Sequence, residues 1–449
     1  MCGLAGIRLA TTKQRNMIER VAITGIGVVT PIGIGIADFT SALRAGCSGA
    51  RRITAFDCEG FDTRIAAEVD DTSFDAGSYV KPRKMVKHMS RSAAFAVAAA
   101  AMARCESRLL PGEVDPYRIG VSLGAGGMGP VDLDLLAGQG VAAIASARGQ
   151  DSEELDIPAF AREFRARTNP ISMLRGLPNL AAAHLAIQQD ARGPNNTITT
   201  ACSAGTQAIG EGLRAIQRGD ADVVFAGGAD AMINPVGVLG FSMLGTLSRR
   251  NDDPRHASRP FDAGRDGFVI GEGAAILVLE REVVAKARGA TVLAELAGYG
   301  CTCDAYRITD ERPDAEAAVR AITLCLRDAG ASAEDIDYIN AHGTGTQMND
   351  VTETTAVRTA FNGSGLPPMS STKSMIGHLL AAAGAVELAA TVTGMLHDFL
   401  PPTINFEVPD PACVLDCVPN DARNARMDAA LSNSFGFGGQ NACLMIRRW

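Results

Sequence analysis

A few side chains in this sequence have the types and placement needed to activate a sulfur and move an acyl group with it. Cys202 stands in the run TTACSAG, with only Ala201, Ser203, Ala204 and Gly205 as near neighbours. Small neighbours let a substrate come close. The run joins a strand pattern to a helix pattern, and a thiol at a helix N-terminus feels the positive end of the dipole, which favours thiolate. Backbone N–H groups at such a turn can also stabilise an oxyanion. Taken alone, Cys202 is equally compatible with a buried structural thiol, because free cysteine is commonly buried.

The chain has only six histidines, and two of them stand in Gly-rich turns. His342 opens HGTGT directly after a strand pattern, and His378 ends STKSMIGH just before a helix pattern. A lone histidine in such a turn is more often a structural hydrogen-bonding group. Two of them with a cysteine, all at sheet-to-helix turns, are a different case, because open α/β sheets gather ligands at the carboxyl ends of their strands. Convergence of the three would suit acyl transfer through a thioester. Lys373, five residues before His378, reads either as a surface lysine or as a charge that tunes the pocket. Phe435, within NSFGFGG, reads either as a mobile gate or as core packing.

The elements that must position these residues alternate. Strand patterns cover 21–30, 119–123, 196–200, 222–227 and 273–280, with helices over 92–103 and 204–218. The second half repeats the rhythm. Strands are predicted over 292–299, 336–340 and 431–434, and helices over 314–329, 350–361 and 379–396. This order indicates an α/β fold with mostly parallel sheets. Two similar halves are expected, 17–288 with Cys202 and 289–449 with both histidines. Residues 1–16 read as an extension or tag ahead of the strand that follows Met17.

Jointly these motifs resemble those of the condensing enzymes of the thiolase superfamily. TTACSAG, HGTGT, STKSMIGH and NSFGFGG carry the resemblance, with RPFDAGRDGFVIGEGA at 259–274 and VAITGIGVVTPIG near the start. It runs from about Met17 to the C-terminus. The Cys-His-His set with a nearby lysine is similar to β-ketoacyl-[acyl-carrier-protein] synthases of type II. The resemblance implies a five-layered αβαβα thiolase-like fold and a homodimer. It implies a decarboxylative Claisen condensation that needs no cofactor, with acyl and malonyl groups delivered on the phosphopantetheine of an acyl carrier protein. Cys202 would take the acyl chain. His342 and His378 would stabilise the enolate formed when malonyl loses CO2, and Lys373 would support them. The amides of Cys202 and Phe435 would form the oxyanion hole, in a gating loop completed by Gly436, Phe437 and Gly438. Thr344 and Thr346 would contact the pantetheine arm, and Asn340, Glu353, Glu387 and Ser432 would hold a structural monovalent cation.

The chain departs from the family pattern in three places. The segment 132–168 is longer and more charged, Gly245 stands where an arginine is commoner, with Arg249 and Arg250 just downstream, and Gln440 replaces a threonine. The departures keep a second pathway open: a ketosynthase of a type II polyketide, polyene or other specialised acyl-chain route, paired with a Cys-less chain-length factor. Fatty acid elongation is the first reading. A non-catalytic partner subunit is disfavoured by the presence of Cys202 and both histidines. A degradative thiolase would need a second catalytic cysteine near the last Gly loop, where Cys443 stands too far along.

Composition excludes other classes. The 449 residues carry a net charge of -8, which argues against a nucleic-acid binder. The cluster Lys81, Arg83, Lys84, Lys87 and His88 is nonetheless basic, and reads as a solvated helix face or as a dock for an acidic partner. Arg249 and Arg250 are further docking candidates. The 11 cysteines form no disulfide or zinc framework, which suits a reducing, cytoplasmic setting. The longest apolar stretch, 375–396, contains His378 and Glu387, so a membrane span is not expected.

Overall fold

The computed structural model describes residues 19–126, 133–147, 156–363 and 365–449. The extension at 1–16, part of the GAGGMG turn and the middle of the 132–168 segment lie outside the described residues.

The main sheet has eleven strands, of which a short one, Gly33–Ile34, pairs with the first and the other ten form a continuous path. In the first half they are β1 (Val21–Thr30), β2 (Ile119–Ala125), β3 (Asn195–Ile198), β4 (Val223–Asp230) and β5 (Gly273–Arg281). In the second they are β6 (Ala294–Cys303), β7 (Tyr338–Asn340), β8 (Met369–Ser370), β9 (Ala429–Gly436) and β10 (Gln440–Arg447). Their order in space is β8-β7-β9-β10-β6-β1-β5-β4-β2-β3. Read outward from the centre, each half has the same order: first strand, fifth, fourth, second, third. The strand senses match as well. In each half the pairs of second with third and second with fourth are parallel, and the other two are antiparallel. A short antiparallel pairing of Val21–Ile23 with Ala294–Leu296 joins the halves. β1, β4 and all but the last residue of β5 are buried along their length, as continuous apolar runs covered on both faces should be.

The helices used below are α1 (Arg91–Ser107), α2 (Leu133–Ser146), α3 (Ile157–Arg167), α4 (Asn179–Gln189), α5 (Ala204–Gln217), α6 (Glu316–Asp328), α7 (Gln347–Ala360) and α8 (Ala383–Leu396). α1 and α4 cover the outer face of the first half, α6 and α7 that of the second, and α5 with α8 lie between. The result is the five-layered αβαβα arrangement. The central pair packs very closely. A Cβ on Gly384 would lie 1.8 Å from Thr206 Oγ1, so only glycine permits that approach. The largest apolar cluster runs through this middle layer, from Ile209 and Leu213 to Val386 and Leu388.

Three predicted elements differ in detail. The helix expected at 379–396 begins as a 3₁₀ turn, Leu380–Ala382, and becomes α-helical at Ala383. STKSMIGH is not all loop, because Lys373–Ile376 form a helical turn. The helix expected from 350 starts at Gln347. Within 132–168, α2 and α3 pack against each other.

Candidate active site

Cys202 lies on a 3₁₀ turn, Ala201–Ser203, that leads into α5. Ala201 has φ 48°, a left-handed conformation that costs a non-glycine residue energy. The turn sets the thiol at the head of the helix, where it is 8 % exposed. Burial pushes the thiol up to about 12, while Lys373 and a hydrogen bond from the Phe437 backbone N–H act in the other direction. In the free protein, burial outweighs the helix dipole, and Cys202 rests as a thiol.

His378 Nε2 lies 3.0 Å from Cys202 Sγ. Its other nitrogen, Nδ1, accepts a hydrogen bond from the Leu380 backbone N–H at 3.3 Å. Leu380 has φ 50°, which turns that N–H back toward the ring. Burial, then Lys373, holds His378 well below the ordinary histidine range, so the ring is neutral. A neutral ring that accepts at Nδ1 carries its proton on Nε2. His378 therefore presents an N–H to the sulfur and is not placed to take the thiol proton.

His342 is set up in the same way by a different group. The Lys373 ammonium lies 3.3 Å from Nδ1 and donates to the His342 carbonyl oxygen at 2.6 Å. Burial, Lys373 and His378, in that order, hold this ring neutral too. Its proton then also sits on Nε2. The two imidazoles meet edge to face with centroids 5.4 Å apart. Cys202 Sγ and one nitrogen from each ring lie within 4.8 Å of one another. Lys373 is 1 % exposed and ion-paired with Glu387, which is fully buried. Burial raises the Glu387 carboxyl and Lys373 opposes that shift. The surface-lysine reading of Lys373 is excluded.

The expected cation positions divide. Asn340 Oδ1, Glu387 Oε2 and Ser432 Oγ are buried without a hydrogen-bond partner among the described residues, as is Asn433 Oδ1. Asn340 and Ser432 face each other across β7 and β9, and Asn340 Nδ2 donates to the Glu387 carbonyl oxygen at 3.3 Å. An orphaned set of hard oxygens fits a cation of the alkali type. Glu353 is engaged differently: its carboxyl accepts from the His342 and Gly343 backbone N–H groups at 2.8 and 2.7 Å and so fixes the HGTGT turn. Burial pushes it up to about 7 against those bonds.

The glycine loop places its two phenylalanines differently. Phe435, the expected gate and oxyanion amide, is 2 % exposed and packs in the apolar cluster behind His342, with ring centroids 5.9 Å apart. Phe435 thus joins the apolar cluster on one side and the cleft wall on the other. Phe437 is only partly buried, lines the cleft, and supplies the backbone N–H that reaches Cys202. The loop after it needs glycine, since Gly438 and Gly439 have φ 88° and 74°. Gly436 passes close to the nucleophile, where an added Cβ would stand 3.3 Å from Cys202 N.

One cleft gathers Cys202, both histidines, Thr344, Thr346, Phe268 and the 435–439 loop. Thr344 and Thr346 are bonded to each other, Oγ1 to Oγ1, at 2.9 Å. Lys81, Arg83, Lys84 and Arg249 are exposed and Arg250 is partly buried. Two of these already hold ion pairs, Arg83 with Asp75 at 3.1 Å and Arg249 with Asp62 at 3.0 Å. Cys443 is fully buried beside Cys325, away from the cleft.

Several residues of the site were not singled out from the sequence. Phe268 packs edge-on against His378 at 5.0 Å. Asp230, at the end of β4, accepts from the Ala381 backbone N–H at 3.1 Å and pins the turn after His378. Burial pushes its carboxyl up to about 6. An acidic residue ending an apolar strand run was the available clue. Glu311 lines the cleft from the loop after β6.

Comparison with known proteins gives consistent results. The family model for the β-ketoacyl synthase N-terminal domain matches residues 18–285, and that for the C-terminal domain matches 293–407. A 3-oxoacyl-[acyl-carrier-protein] synthase 2 from Synechocystis is 43 % identical, covering 96 % of this chain and 98 % of the relative. A putative polyketide β-ketoacyl synthase 1 from Streptomyces cyaneus is 42 % identical over the same shares. Among solved structures, the ishigamide ketosynthase/chain length factor superposes with a TM-score of 0.85 at 36 % identity, covering 96 % of this chain and 99 % of that one.

Proposed function

The chain belongs to the β-ketoacyl synthase family, and from that premise we propose that it joins an acyl group held on Cys202 to a malonyl group carried on an acyl carrier protein, as a fatty acid elongation enzyme. The observation that carries the reading is the convergence of a thiol with two imidazole Nε2–H donors whose tautomers are fixed by Leu380 and Lys373.

The residues divide the work as follows. Cys202 Sγ attacks the acyl thioester, and the thiol proton leaves with the departing carrier thiol. The oxyanion lies against the backbone N–H groups of Cys202 and Phe437. The malonyl thioester then takes the same place, with its carbonyl oxygen toward the two Nε2–H groups. Loss of CO2 leaves an enolate, whose negative oxygen these donors stabilise at no reorganisation cost. The enolate carbon attacks the acyl carbonyl, the bond to Sγ breaks, the β-ketoacyl chain leaves on the carrier, and the Cys202 thiolate takes a proton from water to close the cycle. Thr344 and Thr346 position the pantetheine arm. Asn340, Glu387, Ser432 and the orphaned Asn433 carbonyl would hold a structural monovalent cation that balances the buried carboxylates.

The basic cluster at Lys81, Arg83 and Lys84, with Arg249 and Arg250, is the assigned dock for the acidic carrier. A homodimer, a boundary between the halves at 288/289 and a cytoplasmic setting complete the reading. Among the described residues no helix is long and apolar enough to cross a membrane, and all ten cysteines are free thiols. A second reading is supported by near-equal identity to the Streptomyces relative and by the ketosynthase/chain length factor neighbour: a type II polyketide or polyene ketosynthase with a Cys-less partner.

The test offers the protein acyl carriers of varied chain length with malonyl carrier and reads Cys202 by intact mass. Acylation at Cys202 and a product two carbons longer are expected, and both are lost in Cys202→Ala. Undiminished elongation in Cys202→Ala would overturn the mechanism, and the accepted chains decide between the two pathways.

A further inference from the structure

The tautomer of His378 depends on the Leu380 backbone N–H, and that N–H turns back to the ring because Leu380 has φ 50°. A left-handed conformation at a leucine is unfavourable and persists only where the surroundings impose it.

The surroundings here are specific. The 3₁₀ turn Leu380–Ala382 lies on two glycines. A Cβ on Gly228 of β4 would stand 2.5 Å from the Ala381 carbonyl oxygen, and one on Gly205, in the first turn of α5, would stand 2.8 Å from it. Bare backbone therefore lets the turn rest directly on the strand and on the helix that follows Cys202. The glycines make room, but they hold nothing. The holding bond comes from Asp230, the last residue of β4. Its Oδ2 accepts from the Ala381 N–H at 3.1 Å, one residue beyond Leu380. Its Oδ1 accepts from the Ala231 N–H at 2.9 Å, which orients the carboxylate from its own chain. A third glycine, Gly126 just past β2, leaves space for the group, since a Cβ there would lie 3.0 Å from Oδ2.

Asp230 is an unfavourable residue to bury. It is 5 % exposed, and its oxygens are met by backbone N–H groups with no ion pair among the described residues. An apolar side chain of similar size would avoid that desolvation. What the acid supplies, and an apolar residue could not, is a pair of acceptors that ties the turn to the strand.

We infer that Asp230 is a positioning residue for the decarboxylation step: by holding the Ala381 N–H it keeps Leu380 in its left-handed conformation, and so keeps the Nε2–H of His378 aimed at the developing enolate oxygen. This rests on the condensation reading above and deepens it, because it traces one donor of the site to a side chain outside the Cys-His-His-Lys set.

The experiment makes two measurements on the parent, Asp230→Ala and Asp230→Asn. One is CO2 release from malonyl pantetheine. The other is the protonation of each His378 ring nitrogen, by ¹⁵N NMR of protein labelled at its six histidines, with His378 assigned by comparison with His378→Ala. In the parent, His378 should show Nε2 protonated and Nδ1 accepting a hydrogen bond. Asp230→Ala should move these signals toward an average of the two tautomers and slow CO2 release about tenfold, the loss of one orienting hydrogen bond. KM should stay within twofold, because no group that touches the thioester is removed. Asp230→Asn has the same shape but one acceptor for two N–H groups, so it should show both changes to a smaller degree, and it decides the matter should Asp230→Ala fail to fold. Slower CO2 release with unchanged His378 signals would make Asp230 a merely structural residue and overturn the inference. A rate and signals like the parent's in every variant that folds would overturn it as well. A parent that releases no CO2 would overturn the condensation reading, while the NMR comparison would still test the hold of Asp230 on His378.

Discussion

Replacing Lys373 by methionine removes an ammonium shared by Glu387, the His342 carbonyl oxygen and His342 Nδ1. Methionine fills nearly the same volume, so packing is little disturbed. Two separable effects follow. The first is on stability. Glu387 is 0 % exposed and loses its ion-pair partner among the described residues, and breaking one side of a buried pair costs about 3–5 kcal/mol. Burial already holds this carboxyl above its ordinary value and Lys373 opposes that shift, so its folded-state value rises further in the variant. A group raised in the folded state binds its proton more tightly there than in the unfolded chain. The destabilisation is therefore smallest near the unfolded carboxylate value and grows as pH rises above it. The second effect is on catalysis. His342 Nδ1 loses the donor that keeps the proton on Nε2, and one preorganised donor to a developing oxyanion is worth about 10²–10³ in rate. Urea unfolding at pH 5 and pH 8, with CO2 release from a malonyl thioester, measures both. The double variant Lys373→Met/Glu387→Gln neutralises the pair, so it should regain most of the stability and none of the rate. A double variant that regains both, or a folded Lys373→Met with decarboxylation within threefold of the parent, would refute the tautomer argument.

Three further outcomes are expected. Phe435→Ala should cost about 3–5 kcal/mol in unfolding free energy, as for a buried aromatic, whereas Phe437→Ala should cost little and instead alter the rate at which Cys202 is acylated; the reverse pattern would return the gate to Phe435. With the thiol held up to about 12, iodoacetamide labelling of Cys202, read by peptide mass, should climb about tenfold per pH unit from pH 6 to 10. A plateau near neutral pH would mean that the helix dipole already outweighs burial. Charge reversal at Lys81, Arg83 and Lys84 should weaken carrier-protein affinity, and more so at low than at high salt; an affinity that does not change would leave the cluster a solvated surface.

What the sequence made legible follows physical lines. Buried strands such as 21–30 announce themselves as unbroken apolar runs, and β1 has the predicted bounds. The turns bearing Cys202, His342 and His378 were visible because small residues, glycines and reactive types coincide there. Hydrogen-bond direction was not visible. That Lys373 is buried against Glu387 depends on two segments 14 residues apart meeting across a turn and a helix. That the Phe437 backbone N–H reaches the thiol depends on the chain leaving β9 after Gly436 and turning through the glycine loop, and a motif with two phenylalanines two positions apart cannot say which amide does so. Asp230, Phe268 and Glu311 come from three further segments, and only the packed chain sets them around one cleft.

The two histidines show what the fold adds to the motif. A cysteine beside a histidine reads at first as a nucleophile with its base. Here the ring nitrogens that face away from the sulfur are both occupied by donors, Leu380 N–H on one ring and the Lys373 ammonium on the other. Each donor forces its neutral ring to carry a proton toward the cleft. A base in this place would take the thiol proton and could face the enolate oxygen only after that transfer. Two fixed N–H groups need no such transfer, and they are ready to hold the anion before malonate arrives. The strained φ of Leu380 and the buried charge of Lys373 are both unfavourable for folding. Both have the same effect on the imidazole beside them, which is the reason to read them as parts of one device that holds the site ready for an anion on oxygen.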